Sequence, residues 1–392
     1  MLPAVPGFRF SAVSAGIRKD GRIDVALAEA APGSTSAGLF TRNLVRAAPV
    51  LISEQRLARG GARAVLVNSG CANACTGEPG LRAARESSAA VAEALGIDPE
   101  TVLPASTGVI GALLPAERIR AKASELVAGL SPEGAEAFSR AILTTDRWPK
   151  AESTRIETSS GTATLLAIGK GAGMIHPDVG PPQATMLVFL FTDAAVDPAV
   201  LARALYKASD DTFNSCSVDG DTSTNDTVLA FASGKAGVAS EQALVRGFFE
   251  VCDRIARSMV ADGEGAEHAA EIWVTGLASD EEAKRAARTV AGSLLVKTAL
   301  HGRDANWGRL LAAAGRSGVA FDPNLAGVRI GDVEIVRDGL SLGADAEARA
   351  AQILKQPTYR IEISLGAGPG RARYLTSDLG HGYVDVNADY RS

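Results

Sequence analysis

Residues 169–194, GKGAGMIHPDVGPPQATMLVFLFTDA, decide how this chain is read. Pro181 and Pro182 have no N–H to give a sheet ladder, so they mark a loop. The run MLVFLF, residues 186–191, is apolar on both alternations, which predicts a strand buried on both faces. Ala184 and Thr185 therefore fall at a junction between a loop and a buried strand. A threonine hydroxyl held there is placed to attack the carbonyl just before it. An N-to-O acyl shift gives an ester, and water then releases two chains. The new α-amine, with a reference pKa of about 7.7–8.0, suits a general base that activates its own hydroxyl. Ala184 is small and leaves the attacked carbonyl open. On the residues alone the commoner reading is plainer: threonine at the head of a strand is a good β-former.

A strand covered on both faces needs layers on either side. Outward from it, short Val- and Ile-rich runs recur between Gly-rich turns: ARAVLVNSG, ATLLAIGKG, TVLAFASG and AEIWVTG. These read as further buried strands. Apolar residues at helical spacing mark GLRAARESSAAVAEALG, PAERIRAKASELVAGL, DPAVLARALYKASDDTF and SEQALVRGFFEVCDRIARSMVAD as helices. The mixture argues an α/β or α+β sandwich. Strict strand–helix alternation is missing, which disfavours a doubly wound parallel sheet. A boundary is expected near residue 280, where SDEEAKRAARTVAGSLLVKTALHG begins a new helical unit. The remainder carries its own strands in GVRIGDVEIV, YRIEISLG and RARYLTSDLG.

The chain has 392 residues, 46% of them hydrophobic, enough for one or two sizeable cores. Forty Lys+Arg against 45 Asp+Glu give a net charge of −5, with no basic footprint for nucleic acid. No apolar run approaches the roughly 20 residues that span a bilayer. The N-terminus lacks the basic-then-apolar order of a secretory signal. The expectation is a cytoplasmic protein that binds neither nucleic acid nor membrane. Four cysteines are too few for a disulfide scaffold. Cys71 and Cys75 in CANAC read as two small buried residues rather than a redox or metal pair, since no second ligand pair follows at zinc spacing. The four histidines are scattered and form no HExxH arrangement. No metal is expected. DGDTSTND, residues 219–226, fails the EF-hand pattern at Thr224 and Ala230 and reads as a hydrogen-bonded turn.

Motifs along nearly the whole chain resemble the ornithine acetyltransferase family of arginine biosynthesis, the glutamate N-acetyltransferases that cleave themselves before a threonine. The carriers are PGFRFSAVSAGIRKDG, AGLFTRNLVRAAPV, VLVNSGCANACTG, PASTGVIG, ILTTD, the KGxGM run with its Ala-Thr-Met-Leu junction, SVDGDTSTNDTV, DGEGA, LVKTALHGRDANWGR and GYVDVNADYRS. Each is moderately specific; their order and spacing make accident very improbable.

The resemblance implies an αββα-type layered sandwich over 1–280 and a smaller C-terminal α+β domain over 281–392 completing the substrate pocket. It implies that Thr185 is the nucleophile and that the bond from Ala184 to Thr185 is cut, leaving chains 1–184 and 185–392 in a heterotetramer of two cleaved protomers. Thr107 and Gly108 correspond to the oxyanion-stabilising pair, a role that glycine suits because it lets backbone approach closely. Thr144, Lys170, Thr185, Glu264, Asn387 and Ser392 correspond to substrate-binding positions, with Thr145 a close competitor of Thr144. Apart from the resemblance, the Thr107–Gly108 turn reads as a plain Gly-rich turn, Lys170 as a surface lysine and Glu264 as a solvated loop carboxylate. The implied reaction moves acetyl from N-acetylornithine to glutamate through an acetyl-threonine. No cofactor is expected, and the resemblance admits acetyl-CoA as an acetyl donor.

Four departures stand out. DVGPPQ, residues 178–183, is longer than the family's usual spacing before the cleaved bond. Cys71 replaces an asparagine, Glu267 and His268 replace a Thr-Lys pair, and Ala305 replaces a proline before Asn306. Asn306, Trp307 and Arg309 are expected to support the pocket without a catalytic role. Three alternatives stand beside this reading: a self-processing amidohydrolase or aminopeptidase, an acetyltransferase of a secondary-metabolite pathway with the same mechanism, and an uncleaved, inactive paralogue acting as a binding protein.

Overall fold

The computed structural model describes residues 2–177, 179–180 and 186–388. Ala184, Thr185, Ser392 and most of the DVGPPQ segment lie outside the described residues. The chain divides into two compact units: Met1–Gly171, Pro177–Asn214 and Thr222–Ile255 in the first; Ala172–His176, Ser215–Asp221 and Ala256–Ser392 in the second.

The first unit holds two sheets. A four-stranded sheet runs Phe8–Val13, Val25–Ala30, Ala64–Cys71, Val102–Val109. Its last two strands are parallel and the others antiparallel. A six-stranded sheet runs Lys150–Thr158, Gly161–Lys170, Leu187–Thr192, Thr227–Ala232, Thr35–Thr41, Val179–Gly180. Leu187–Thr192 is an interior strand, antiparallel to Gly161–Lys170 and parallel to Thr227–Ala232. All its residues are buried, as the two-faced apolar run in 186–191 predicts.

The two faces of that strand meet different layers. Leu187, Phe189 and Phe191 join the core between the sheets. There Phe191 packs on Phe8 (ring centroids 5.2 Å), Phe10 (4.9 Å) and Phe231 (5.7 Å). Phe138 meets Phe10 at 5.9 Å and Phe189 at 5.5 Å. On the far side of the four-stranded sheet, helices Gly77–Leu95 and Ala116–Ala128 bury Val91 and Ile119 against Val25, Leu27 and Leu66. Helix Pro198–Asp211 packs on the six-stranded sheet. The helix Glu241–Ala261 does so through Gly247, where a Cβ would stand 2.9 Å from Ile156. The order of layers is therefore αββα. Local signals place the helices: Asp197 caps the N–H groups of Ala199 and Val200, with Pro198 at the first helical position.

Phe191 is the ring shared by both sheets. Phe191→Ala is expected to lower stability by about 3–5 kcal/mol, the usual range for a buried aromatic truncated to alanine. Urea unfolding checks this, and an unchanged midpoint would mean that the ring is not part of the core.

The second unit is a seven-stranded sheet in the order Cys216–Ser217, Gly368–Ser377, Ala269–Gly276, Thr358–Ser364, Gly327–Ile330, Val333–Arg337, Leu340–Ser341. Burial alternates along Ala269–Gly276 and Thr358–Ser364, so these strands bury one side-chain row. Val274, Ile361 and Ile363 form a core with Ala283, Ala287 and Val290 of helix Asp280–Ala291 and with Leu310 of helix Trp307–Gly315. Ser279 caps the first of these helices, whose opening turn carries Asp280, Glu281 and Glu282.

The chain passes from the first unit to the second for the last time at Ile255–Ala256, whereas the expected boundary lay near 280. AEIWVTG precedes residue 280, but its strand pairs with Thr358–Ser364 and Gly368–Ser377. Such long-range pairing leaves no mark on local periodicity. No helix among the described residues is long and apolar enough to cross a membrane.

Candidate active site

In the first unit, the parallel strands Ala64–Cys71 and Val102–Val109 end at a register slip, where Cys71 faces both Thr107 and Val109. Bulges of this kind re-aim backbone at strand ends. Gly108 has φ +132°. A Cβ on it would stand 2.4 Å from the Gly70 carbonyl carbon and 2.6 Å from the Cys71 nitrogen. Only glycine lets the two backbones approach so closely.

Buried amides hold this corner. Ser106 Oγ donates to Asn68 Oδ1 (2.6 Å), and Asn68 Nδ2 donates to the Cys71 carbonyl (2.8 Å). Asn225 Nδ2 donates to the carbonyls of Ala72 (2.6 Å) and Ser106 (2.8 Å). The turn TSTND is thus a hydrogen-bonded structural element, as its composition suggests. Fully paired buried networks of this sort fix one geometry.

Thr107 Oγ1 accepts a hydrogen bond from Lys170 Nζ (3.3 Å), which also donates to Thr144 Oγ1 (2.8 Å). Lys170 closes the strand Gly161–Lys170 and is buried, not the surface lysine that its Gly-rich setting suggests. It is Thr144, not its competitor Thr145, that Lys170 meets. Behind it lies Asp146, buried, 3.6 Å from Lys170 Nζ and 2.7 Å from Lys150 Nζ. Asp146 also accepts the N–H groups of Gly171 (2.7 Å) and Thr144 (3.1 Å). Burial pushes this carboxyl up, but the ammoniums of Lys170 and Lys150 and the Gly171 N–H outweigh it. The net effect holds Asp146 well below the usual carboxylate range. Sequence reading passed over Asp146; its place within ILTTD, beside Thr144, is the only signal it left.

The same unit fixes the residue that follows Thr185. Met186 is buried, and its carbonyl accepts the Thr227 N–H (2.6 Å). Asp226 is fully buried, and burial pushes its carboxyl well above the usual range against hydrogen bonds from Ser223, Thr41 and Met186. Its Oδ2 finds no partner among the described residues.

In the second unit, Glu264 receives Nδ2 of Asn387 on Oε2 (2.9 Å). A Cβ on Gly173 would lie 2.1 Å from that same oxygen, so Gly173 leaves room for the carboxylate. The Glu264 N–H bonds the Ala172 carbonyl (2.9 Å). Asp219 takes the N–H groups of Met174 (2.5 Å), Ile175 (2.9 Å) and Asp221 (3.2 Å), and burial still pushes its carboxyl up. Burial likewise raises the Tyr383 hydroxyl, which bonds Asp219. Glu264 and Asn387 thus come together, while Ser392 lies outside the described residues.

Other expectations are corrected. Cys71 is buried, with Sγ donating to the Ala112 carbonyl (3.3 Å), but Cys75 is exposed. It has φ 57° in the turn before helix Gly77–Leu95, and that reversal sets it outside. Asn306 caps helix Trp307–Gly315 by accepting the Arg309 N–H (3.2 Å), and Trp307 Nε1 donates to Glu347 (2.9 Å). These are supports within the second unit's own fold. Glu267 pairs with Arg303 (3.1 Å), and His268 Nδ1 lies 2.9 Å from the Gln356 carbonyl, so the substituted pair has local partners. Among the described residues no group of three or more His, Cys, Asp or Glu is placed to hold a metal ion.

A model of the ArgJ family matches residues 9–392. The arginine biosynthesis bifunctional protein ArgJ of Geobacter sulfurreducens is 48% identical over 396 residues, covering 99% of this chain and all of that protein. The proteins of the same name from Parasynechococcus marenigrum and Nitratidesulfovibrio vulgaris are each 46% identical. They cover 98% and 100% of this chain and 93% and 100% of their own lengths.

Proposed function

The chain belongs to the ArgJ family, and from that premise we propose that it transfers acetyl from N-acetylornithine to glutamate through an acetyl group carried on Thr185. It is an acyltransferase of arginine biosynthesis. The observation that carries the chemistry is the Thr107–Gly108 corner: a glycine where no Cβ fits, beside a hydroxyl whose oxygen accepts from a buried ammonium. Preorganised donors of this kind stabilise the oxyanion of acyl transfer.

The chain cuts itself between Ala184 and Thr185, freeing the threonine α-amine as general base. The Thr185 hydroxyl attacks the acetyl carbonyl, and Thr107 and Gly108 hold the oxyanion. Ornithine leaves, and the amine of glutamate takes the acetyl group. By the family resemblance, Thr144 and Lys170 bind substrate, and Glu264 and Asn387 belong to the same binding set. Ser392 completes the binding set. The cleaved chains 1–184 and 185–392 assemble as a heterotetramer in the cytoplasm. Acetyl-CoA is a second donor to be tried.

A burst experiment tests this reading. Enzyme mixed with N-acetylornithine alone should release about one equivalent of ornithine per site and then slow, the mark of a covalent intermediate. Intact-mass measurement should find acetyl on 185–392 and none on 1–184. Glutamate should discharge it as N-acetylglutamate. If ornithine appears only when both amines are present, transfer is direct and Thr185 carries nothing. Acetate released at an undiminished rate without glutamate would make the protein a hydrolase.

A further inference from the structure

The Lys170 ammonium has three protons to donate; two go to protein oxygens, Thr144 Oγ1 at 2.8 Å and Thr107 Oγ1 at 3.3 Å, and the Asp146 carboxylate pairs with its charge at 3.6 Å. A lysine serving only as a substrate clamp would keep its donors for the ligand. A hydroxyl oxygen that accepts from an ammonium must turn its own proton elsewhere. Among the described residues, no acceptor takes the Thr107 proton. It is left for whatever negative charge develops beside the corner.

Resting on the acyl-transfer reading above, we infer that Asp146 is a positioning residue of the reaction: its buried carboxylate pins the Lys170 ammonium onto the Thr107 and Thr144 hydroxyl oxygens, so that Thr107 presents its proton to the oxyanion. Asp146 does this from one point. It accepts the Thr144 N–H and the Gly171 N–H, so it also fixes the backbone of Thr144 and of the residue that follows the lysine. Lys150 on the neighbouring strand, paired in register with Gly169, anchors it from behind. The Asp146 carboxylate carries one charge against the two ammoniums, leaving a net positive corner where negative charge is to form. Lys170 thereby contributes to the chemical step through Thr107, beyond any grip on the substrate.

The test is a pair of double-mutant cycles on cleaved enzyme that has completed its self-processing, with kcat and KM for acetyl transfer as readouts. Asp146→Asn is expected to lower kcat by at least about tenfold with KM within a few-fold. An interaction used only in the transition state lowers kcat, whereas a lost ground-state grip raises KM. In the Lys170→Met background, Asp146→Asn is expected to cost little more, because its effect passes through the lysine. Likewise Lys170→Met and Thr107→Ala are expected to fall well short of multiplying. If the Asp146→Asn and Lys170→Met losses multiply, or if the loss lies in KM alone, Asp146 is structural and the inference fails. Should Asp146→Asn not fold, judged by circular dichroism, the Lys170–Thr107 cycle still decides: fully multiplying losses overturn the relay. Wild type that transfers no acetyl would instead sink the acyl-transfer reading itself.

Discussion

Thr185→Ala is expected to remain one chain of 392 residues and to lose acetyl transfer by at least about 10⁴-fold, the scale on which removing a catalytic nucleophile acts. Wild type should run as two near-equal fragments on a denaturing gel, and sequencing of the second should begin Thr-Met-Leu-Val. The physical ground is the restraint on the next residue. Met186 gives its carbonyl to the Thr227 N–H, and it leads straight into an interior strand. Wild type that stays intact through prolonged incubation would favour the uncleaved paralogue. A cleaved Thr185→Ala variant would assign the attack to another group.

Thr107→Ala is expected to slow transfer by about 10²–10³-fold in kcat, the usual loss for one oxyanion donor. The fold should survive, because Thr107 is half-buried and the corner is held by Asn68, Ser106 and Asn225. Gly108→Ala should fail differently. Its Cβ would enter the Gly70 backbone at 2.4 Å, and φ +132° strains any L side chain. That variant should lose both transfer and thermal stability, whereas Thr107→Ala should lose transfer alone. The comparison is made by steady-state rates beside melting curves. An unchanged rate in Thr107→Ala would remove its hydroxyl from the site and leave the Gly108 backbone as the candidate donor.

The short elements were readable because their causes are local. The Leu187–Thr192 strand announces itself by apolar residues on both alternations, the helix at Pro198 by Asp197 and proline, and the helix at Asp280 by Ser279 and its acidic turn. The candidate site was less legible. Thr107, Gly108, Thr144, Lys170, Glu264 and Asn387 were reached through resemblance, since a threonine in a Gly-rich turn or a lysine among glycines has commoner explanations. Asp146 and Asp226 were passed over entirely. Nothing local separates a buried carboxylate that anchors two ammoniums from a solvated one.

The sequence by itself determined the interior strand, the helices, the net charge of −5, and a family pattern running nearly end to end. All of these depend on composition, on neighbours within a few residues or on the order of motifs. Tertiary structure alone decided why Gly108 must be glycine, because the obstructing atoms belong to Gly70 on a strand that pairs across the sheet. It alone decided the state of Asp146. The hairpin register sets Lys150 opposite Gly169 and so brings a second ammonium to one carboxylate. In water such charges would be screened to a weak attraction; buried together they hold the carboxylate ionised and fix the lysine. Charge, burial and distance act jointly there, and a linear sequence states only the first.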